Sequence, residues 1–186
     1  MTQSPNDPIS AALRARFGIL AGDRVGVLGE FAEMRPVYRA LWALGACAVP
    51  LDVGTVKNTE TLNATEAIYV IASEARLARA VQAVEPGVHD LVGAQLVREV
   101  IQYGGAAGEV FPHLDASAPE DPLPANPAGE EALLLLLYFM GKVQPFSYTL
   151  AELHEMAALP KGRKPRPKFA VVGFYPVVEE MIRILL

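Results

Sequence analysis

Residues 22–52, GDRVGVLGEFAEMRPVYRALWALGACAVPLD, decide the fold of this 186-residue chain. After the Gly22-Asp23 turn, residues 24–28 form a short β-branched run that is typical of a strand. Residues 30–44 are rich in helix formers, and Gly45 ends the predicted helix. Residues 46–51 are a second apolar run. Two buried strands joined by a crossover helix predict a parallel pair in an α/β sheet.

The rest of the chain continues this alternation of patterns. Further helices are predicted over 9–17, 74–84, 94–103, 150–159 and 176–186, with Ser10 and Ser73 as N-caps. Further strands are predicted over 67–72, 89–92, 109–112, 131–139 and 169–174. The run EALLLLLYF at 131–139 fits a helix or a buried strand, and the flanking Gly141 and Pro145 favour a strand.

These elements predict one three-layer α/β domain with at least five mostly parallel strands flanked by helices. Residues 1–114 are interpreted as an α/β lobe, and 115–129 as a proline-rich linker or long loop. Residues 130–186 are expected to complete the same domain. The positions expected to be buried in strands are Val25, Val27, Val49, Leu51, Val70, Ile71, Leu135, Val171 and Val172.

Composition excludes several classes of protein. Hydrophobic residues make up 52% and charged residues 20%, which indicates a globular chain, and the net charge of −5 gives no overall attraction to nucleic acid. The longest apolar run, 132–140, is too short to span a membrane. The first ten residues show no signal-peptide pattern, and the single Cys47 is expected to lie in the core. A cytoplasmic location is therefore expected.

The opening unit also resembles the start of the adenylate-forming enzymes: acyl-CoA synthetases, luciferases and adenylation domains. Members of that family show GDRVA, then a helix ending LKAGA, then VVPLDP, as residues 22–52 do here in pattern. The segments 68–84 and 169–186 resemble later parts of the same N-terminal lobe. The resemblance covers nearly all of this chain but about the first third of a typical member, and it implies that lobe's α/β fold.

The resemblance places the family's phosphate loop, YTSGTTGxPKG, directly after 131–139. In that loop, glycines admit the phosphates, hydroxyls donate hydrogen bonds and a lysine supplies charge. Here the sequence reads YFMGKVQPFS, which retains a vestigial set of Tyr138, Gly141, Lys142, Pro145 and Ser147. Hydroxyl positions have become Phe139, Met140, Lys142 and Val143, and the lysine position falls on or near Phe146. Lys142 either replaces the lost charge or is a solvated loop lysine, the simpler interpretation.

No other pattern supplies catalytic groups. His89, His113 and His154 lack metal-ligand spacing, and His113 is expected to face solvent. The neighbouring carboxylates Glu130-Glu131 and Glu179-Glu180 point in different directions on a strand or helix. The glycine-rich run 104–108 is interpreted as the end of a helix. We therefore expect no catalytic residue, no metal and no cofactor.

The basic run KGRKPRPK, at 161–168, is a local concentration of positive charge. It is either a contact for phosphates or a solvated, proline-extended loop, and the second interpretation is favoured because the run lacks aromatic residues that would stack on bases.

The resulting hypothesis is a non-catalytic, truncated relative of AMP-forming acyl-CoA synthetases that acts through protein–protein contact. The alternatives are one half of a split ligase, an AMP-forming acid–thiol ligase that needs ATP and magnesium and a completing partner chain, or an acyl- or nucleotide-binding module. A homodimer or larger oligomer is expected through the last helix, residues 177–186. Its apolar residues are Val177, Val178, Met181, Ile182, Leu185 and Leu186. The rival expectation is that this helix folds back onto its own domain.

Overall fold

The computed structural model describes residues 8–52, 57–85, 93–123, 131–139, 142–160 and 175–186. The strands, in chain order, are β1 Arg24–Leu28, β2 Cys47–Pro50, β3 Tyr69–Ser73, β4 Glu99–Tyr103, β5 His113–Leu114, β6 Glu131–Phe139 and β7 Lys142–Thr149. The helices are α1 Ile9–Ala12, α2 Phe31–Leu44, α3 Asn58–Ala64, α4 Leu77–Val84, α5 Leu150–Ala158 and α6 Tyr175–Leu185. A π turn, Leu13–Phe17, extends α1, and a 3₁₀ turn, Glu74–Arg76, precedes α4.

The described strands form one sheet in the order β5-β4-β3-β1-β2-β6-β7. Every neighbouring pair is parallel except β6 with β7, which is antiparallel. The prediction of a mostly parallel α/β sheet with at least five strands is therefore confirmed.

Helices cover both faces of this sheet and give it three layers. Residues of α1, α2, α5 and α6 share one core cluster with Val25, Ile71 and Leu135. Residues of α3 and α4 share a second cluster with Val49 and Val70. All of the positions expected to be buried that lie in the described residues are at most 3% exposed, whereas Val171 and Val172 lie outside them.

The opening strand–helix–strand unit forms as predicted. Gly45 ends α2 in the left-handed conformation at φ 73°, which allows the Ala46 N–H to donate to the Leu41 carbonyl at 2.9 Å. The chain then turns back so that β2 pairs with β1 in register, Arg24 opposite Cys47.

The helix predicted over 94–103 is wrong, because residues 99–103 form β4. The sequence EVIQY has two adjacent β-branched residues, Val100 and Ile101, which lie in parallel register opposite Val70 and Ile71 of β3. The ladder bonds to a buried neighbouring strand outweigh the helical pattern that the flanking residues suggest.

Other boundaries differ from the predictions as well. The polar segment 52–65 contains α3, which the sequence pattern did not reveal. The strand expected at 109–112 is instead the two-residue β5, at His113–Leu114. The strands expected over 89–92 and 169–174 lie outside the described residues, as does the basic run 161–168.

The predicted cap at Ser10 is wrong, and the one at Ser73 is right in position alone. Pro8 precedes α1, while the Ser10 side chain donates to the buried carboxylate of Asp121 and the Ser10 N–H donates to the same group at 3.0 Å. Ser73 makes no capping hydrogen bond. A capping box does form at Thr149 and Glu152, where each side chain accepts from the other's backbone N–H.

Helix α6 packs against α2 and α5 within the chain. Its residues Val178, Met181, Ile182 and Leu185 are at most 2% exposed. Four of the six apolar side chains expected to form an interface between copies are thus packed inside the domain, as the rival expectation has it; Leu186 is half-buried, and the side chain of Val177 is outside the described part of the chain. Self-association stays a prediction. An interface through this helix would have to include its exposed residues, Glu180 and Arg183.

Candidate functional site

A tight β-hairpin occupies the place where the resemblance puts a phosphate loop. The strands β6 and β7 pair in antiparallel register up to Phe139 opposite Lys142, so the connection between the paired residues is Met140 and Gly141 alone. A phosphate loop needs several consecutive backbone N–H groups turned towards one anion. A two-residue connection between paired strands supplies too few, since the flanking N–H groups belong to the ladder.

The vestigial loop residues are spread along β7 rather than brought together. Because side chains alternate along a strand, Lys142 and Ser147 point to opposite faces of the sheet. They are also separated by about 17 Å along the strand, at about 3.4 Å per residue. Pro145 is exposed and lies opposite Leu136, and Tyr138 lies opposite Val143, whereas Gly141 is outside the described residues. Lys142 and Ser147 therefore do not converge on one phosphate.

Ser147 is engaged at the far end of the hairpin. Burial acts to raise the pKa of Glu131, but hydrogen bonds from Ser147 and Arg24, with the positive charge of Arg24, hold that pKa below its ordinary value. Arg24 Nε lies 2.9 Å from the Glu131 carboxylate. This cluster ties the start of β6 to β1 and is a structural contact.

The other candidate groups from the sequence do not form a centre. His113 is half-buried in β5, not solvent-facing as predicted, and its Nε2 donates to the carbonyls of Gly104 and Gly105 at 3.1 and 3.2 Å. Cys47 is buried as expected, and burial raises the pKa of its thiol. Within the described ranges no three His, Cys, Asp or Glu side chains cluster as a metal site would require.

The sheet offers a second place for a ligand, at the carboxyl ends of β1 and β3. These neighbouring strands send their following helices to opposite faces: α2 joins the cluster with Ile71, and α4 joins the cluster with Val70. In open α/β sheets the diverging connections leave a crevice at such a point, and ligands bind there. We use the name switch-point crevice for the place where this rule puts a ligand; Gly29, Met34 and Ser73 lie together there, and Glu30 pairs with Arg76 beside them.

A buried hydroxyl lies in this crevice without a hydrogen-bond partner. Ser73 is fully buried, and its Oγ is the buried side-chain polar atom that the described residues leave unsatisfied. A Cβ at Gly29 would lie 3.1 Å from this Oγ and 2.6 Å from Met34 Cγ. Gly29 is therefore needed for Met34 to cover the hydroxyl.

Charged groups frame the same crevice. Arg76 Nη2 contacts Glu30 Oε1 at 3.0 Å, between side chains that are 40% and 76% exposed. On the β4 side, the exposed Glu74 carboxylate lies over Gly105 and would have to shift if Gly105 carried a side chain.

The glycine-rich run 104–108 follows a strand, so its interpretation as a helix end is wrong. Gly104 and Gly105 have φ of 72° and 71°, a conformation that favours glycine. Gln102 Nε2 donates to the carbonyls of Gly104 and Ala106 at 3.0 and 3.1 Å. Hydrogen bonds from Gln102 of β4 and from His113 thus hold the turn, which lies at the carboxyl end of β4 beside Glu74.

Comparisons with known proteins agree on the fold. No family model matches the chain, and no curated protein matches it in sequence. Among solved structures, the N-terminal domain of FACL13 from Mycobacterium tuberculosis, with inhibitor bound, is similar with a TM-score of 0.60 and 19% identity, over 96% of this chain and 45% of that one. A putative long-chain-fatty-acid CoA ligase from Rhodopseudomonas palustris gives a TM-score of 0.57 and 20% identity, over 81% and 37%. The anthranilate CoA ligase AuaEII, in complex with anthranoyl-AMP, gives 0.55 and 17%, over 81% and 28%.

The chain therefore has the fold of an N-terminal part of acyl-CoA ligases, as the sequence predicted. It spans less than half the length of these solved structures. No helix in the described residues is long and apolar enough to cross a membrane.

Proposed function

We propose that this protein is a non-catalytic relative of AMP-forming acyl-CoA ligases that works as a structural or regulatory protein through protein–protein contact, in the cytoplasm. The observation that carries the proposal is the β6–β7 hairpin, in which Phe139 and Lys142 are already paired.

The hairpin supports the loss of catalysis in two ways. Adenylation requires that the triphosphate be held by several donors while the acid attacks it. The hairpin leaves a two-residue connection for that purpose, and Lys142 and Ser147 lie on opposite faces of β7. Lys142 is exposed, so its charge is screened by solvent rather than focused on a bound nucleotide.

The last strand of the described sheet supports the contact role. β7 is the end strand in the order of the sheet, and its Val143 and Pro145 are exposed on one face. Val143 is 42% exposed. End strands offer unpaired backbone groups to a second chain, and exposed apolar residues beside them add contact area.

The split-ligase alternative has one observation in its favour: up to 96% of this chain aligns with a part of longer ligases. A partner chain would then have to supply the nucleotide site, with ATP and magnesium, because the hairpin does not.

Pyrophosphate release tests the loss of catalysis. The purified chain is incubated with Mg·ATP, CoA and a panel of aliphatic and aromatic acids. We expect no acid-dependent pyrophosphate above the blank. Acid-dependent release by the chain alone would contradict the proposal, and release that appears only with a second ligase fragment would favour the split enzyme.

A pair of surface variants tests the contact role. Val143→Asp and Leu20→Asp each place a charge at an exposed apolar position, since Leu20 is 52% exposed and lies far along the chain from β7. We expect the wild-type chain to form cross-linked products with another protein in cells. Val143→Asp should abolish these products, whereas Leu20→Asp should leave them intact. Equal cross-linking of both variants, with both folded, would contradict a contact through β7.

A further inference from the structure

The switch-point crevice contains a polar atom that the described fold does not satisfy. Ser73 Oγ is buried without a hydrogen-bond partner, at the end of β3. Such a group costs free energy in the folded protein unless something pairs with it. Thr65 provides the contrast, because its equally buried hydroxyl donates to the Thr61 carbonyl at 2.7 Å.

The side chain that covers this hydroxyl is one that can move. Met34, in the first turn of α2, occupies the space beside Gly29 and Ser73. Methionine has three rotatable bonds and adapts to irregular spaces at low cost. Met34 fills the space that the missing side chain at Gly29 leaves, so an incoming group reaches Ser73 Oγ when Met34 changes rotamer.

The positively charged Arg76 side chain lies beside the crevice, in an exposed ion pair with Glu30. Arg76 pairs with Glu30, but that carboxylate is 76% exposed, and ion pairs in such solvent-exposed positions contribute little to stability. Glu30 thus marks where an anion sits against Arg76, and a ligand anion can replace it. The other nearby carboxylate, Glu74, is packed against the Gly105 turn on the β4 side.

We propose that the switch-point crevice binds a compact oxyanion, the phosphate or carboxylate head of a small ligand, through Ser73 Oγ and the Arg76 guanidinium. The oxyanion displaces the Glu30 carboxylate from Arg76. It also accepts a hydrogen bond from the Ser73 hydroxyl, which has no partner in the described fold. Arginine and hydroxyl donors suit both head groups.

This site is separate from the position of the family's phosphate loop. β3 and β6 are three strand spacings apart in the sheet, which is about 14 Å. The proposal also goes beyond the contact role and does not depend on it, because the crevice and β7 use different residues.

Titration followed by ¹H–¹⁵N NMR tests the proposal on the full chain. Sodium phosphate and sodium acetate are added in separate arms, each against sodium chloride at equal ionic strength. We expect saturable shifts at the amides of Gly29, Glu30 and residues 73–76 in at least one arm, and the stronger arm identifies the head group. No saturable shift in either arm, or shifts centred on Phe139 and Lys142, would overturn the proposal.

Variants with matched charge changes separate the site from general surface effects. Arg76→Gln should weaken binding at least tenfold, whereas Arg79→Gln, which removes an arginine paired with Asp52 one turn further on, should leave it unchanged. Glu30→Gln should tighten binding several-fold, because it removes the competing carboxylate. Equal affinities for Arg76→Gln and Arg79→Gln, or weaker binding by Glu30→Gln, would reject the site.

Discussion

At the scale of single residues, a buried polar group with a hydrogen-bond partner in the chain indicates a structural site, and one without a partner indicates a candidate functional site. Asp121, Thr65 and Gln102 are each at most 5% exposed and each has a hydrogen-bond partner within the chain. Ser73 is as deeply buried and has none. The same contrast corrects the interpretation of Ser73 as a helix cap.

Ser73→Ala should stabilise the unliganded protein by about 1 kcal/mol, because it removes a buried hydroxyl that has no partner. Urea unfolding measures the change. Thr65→Val is the control, since it removes a hydroxyl that donates to Thr61, and it should destabilise by about 1 kcal/mol. A Ser73→Ala variant that loses as much stability as Thr65→Val would show that this hydroxyl is paired after all.

Glu131 gives a pH dependence whose sign follows from its surroundings. Its pKa is lowered in the folded chain because hydrogen bonds from Ser147 and Arg24 outweigh the effect of burial. A lowered carboxyl pKa stabilises the fold above the ordinary value of about 4.3, and this stabilisation is lost as the pH falls through the folded-state pKa. Glu131→Gln should therefore cost stability at pH 7 and show a smaller further loss between pH 5 and pH 3.

Urea midpoints at pH 7, 5 and 3 make that comparison. Glu180→Gln is the matched control, because Glu180 is exposed on α6 and should show the wild-type pH profile. A Glu131→Gln profile parallel to wild type over the whole range would contradict this role.

At the scale of elements, the sequence was informative where local pattern and tertiary pairing agree. The opening unit, β6, α5 and α6 lie within a residue or two of their predicted bounds. In the opening unit, the helical pattern is closed by a strong signal, Gly45 after α2. For β6, a run of five leucines had no periodicity of its own, and the flanking breakers identified it.

The errors fall where pairing with a distant strand decides. Residues 99–103 form a strand because they pair with the buried strand β3. The local sequence contains no sign of that pairing. The switch-point crevice was missed for the same reason, since Gly29 and Ser73 meet only when β1 and β3 pair. The sequence interprets residues 138–147 as a degenerate phosphate loop, which stays a prediction, and it does not reveal that the hairpin register separates Lys142 from Ser147.

The burial of α6 gives an element-scale prediction. Ile182 is 2% exposed and belongs to the main core cluster, so Ile182→Asp would bury an unpaired charge. We expect loss of cooperative unfolding at 25 °C, since burial of an unpaired charge is among the most destabilising of single changes. Circular dichroism on heating measures it, with the exposed Glu180→Lys as control. An Ile182→Asp variant that stays folded but forms a smaller assembly than wild type would instead support the oligomer through this helix.

At the scale of the whole molecule, the fold and the predicted loss of chemistry are linked through one strand. The fold is similar to N-terminal parts of acyl-CoA ligases over 81% and 96% of this chain. The sequence resemblance implies a phosphate loop directly after β6. In this chain the same strand turns straight back into β7. Our proposal is that the ligase-like scaffold is kept in this chain while ladder pairing takes the place of the phosphate loop.

NMR titration with Mg·ATP at the hairpin tests this claim most directly. The amides of Phe139, residues 142–144, Phe146 and Ser147 report on the place where a phosphate loop would bind. We expect these amides to exchange slowly with deuterium where the ladder holds them and to show no saturable shift up to millimolar Mg·ATP, whatever happens at Ser73 and Arg76. Saturable shifts at Phe139, Lys142 and Ser147 together, with opening of the hairpin, would contradict the account.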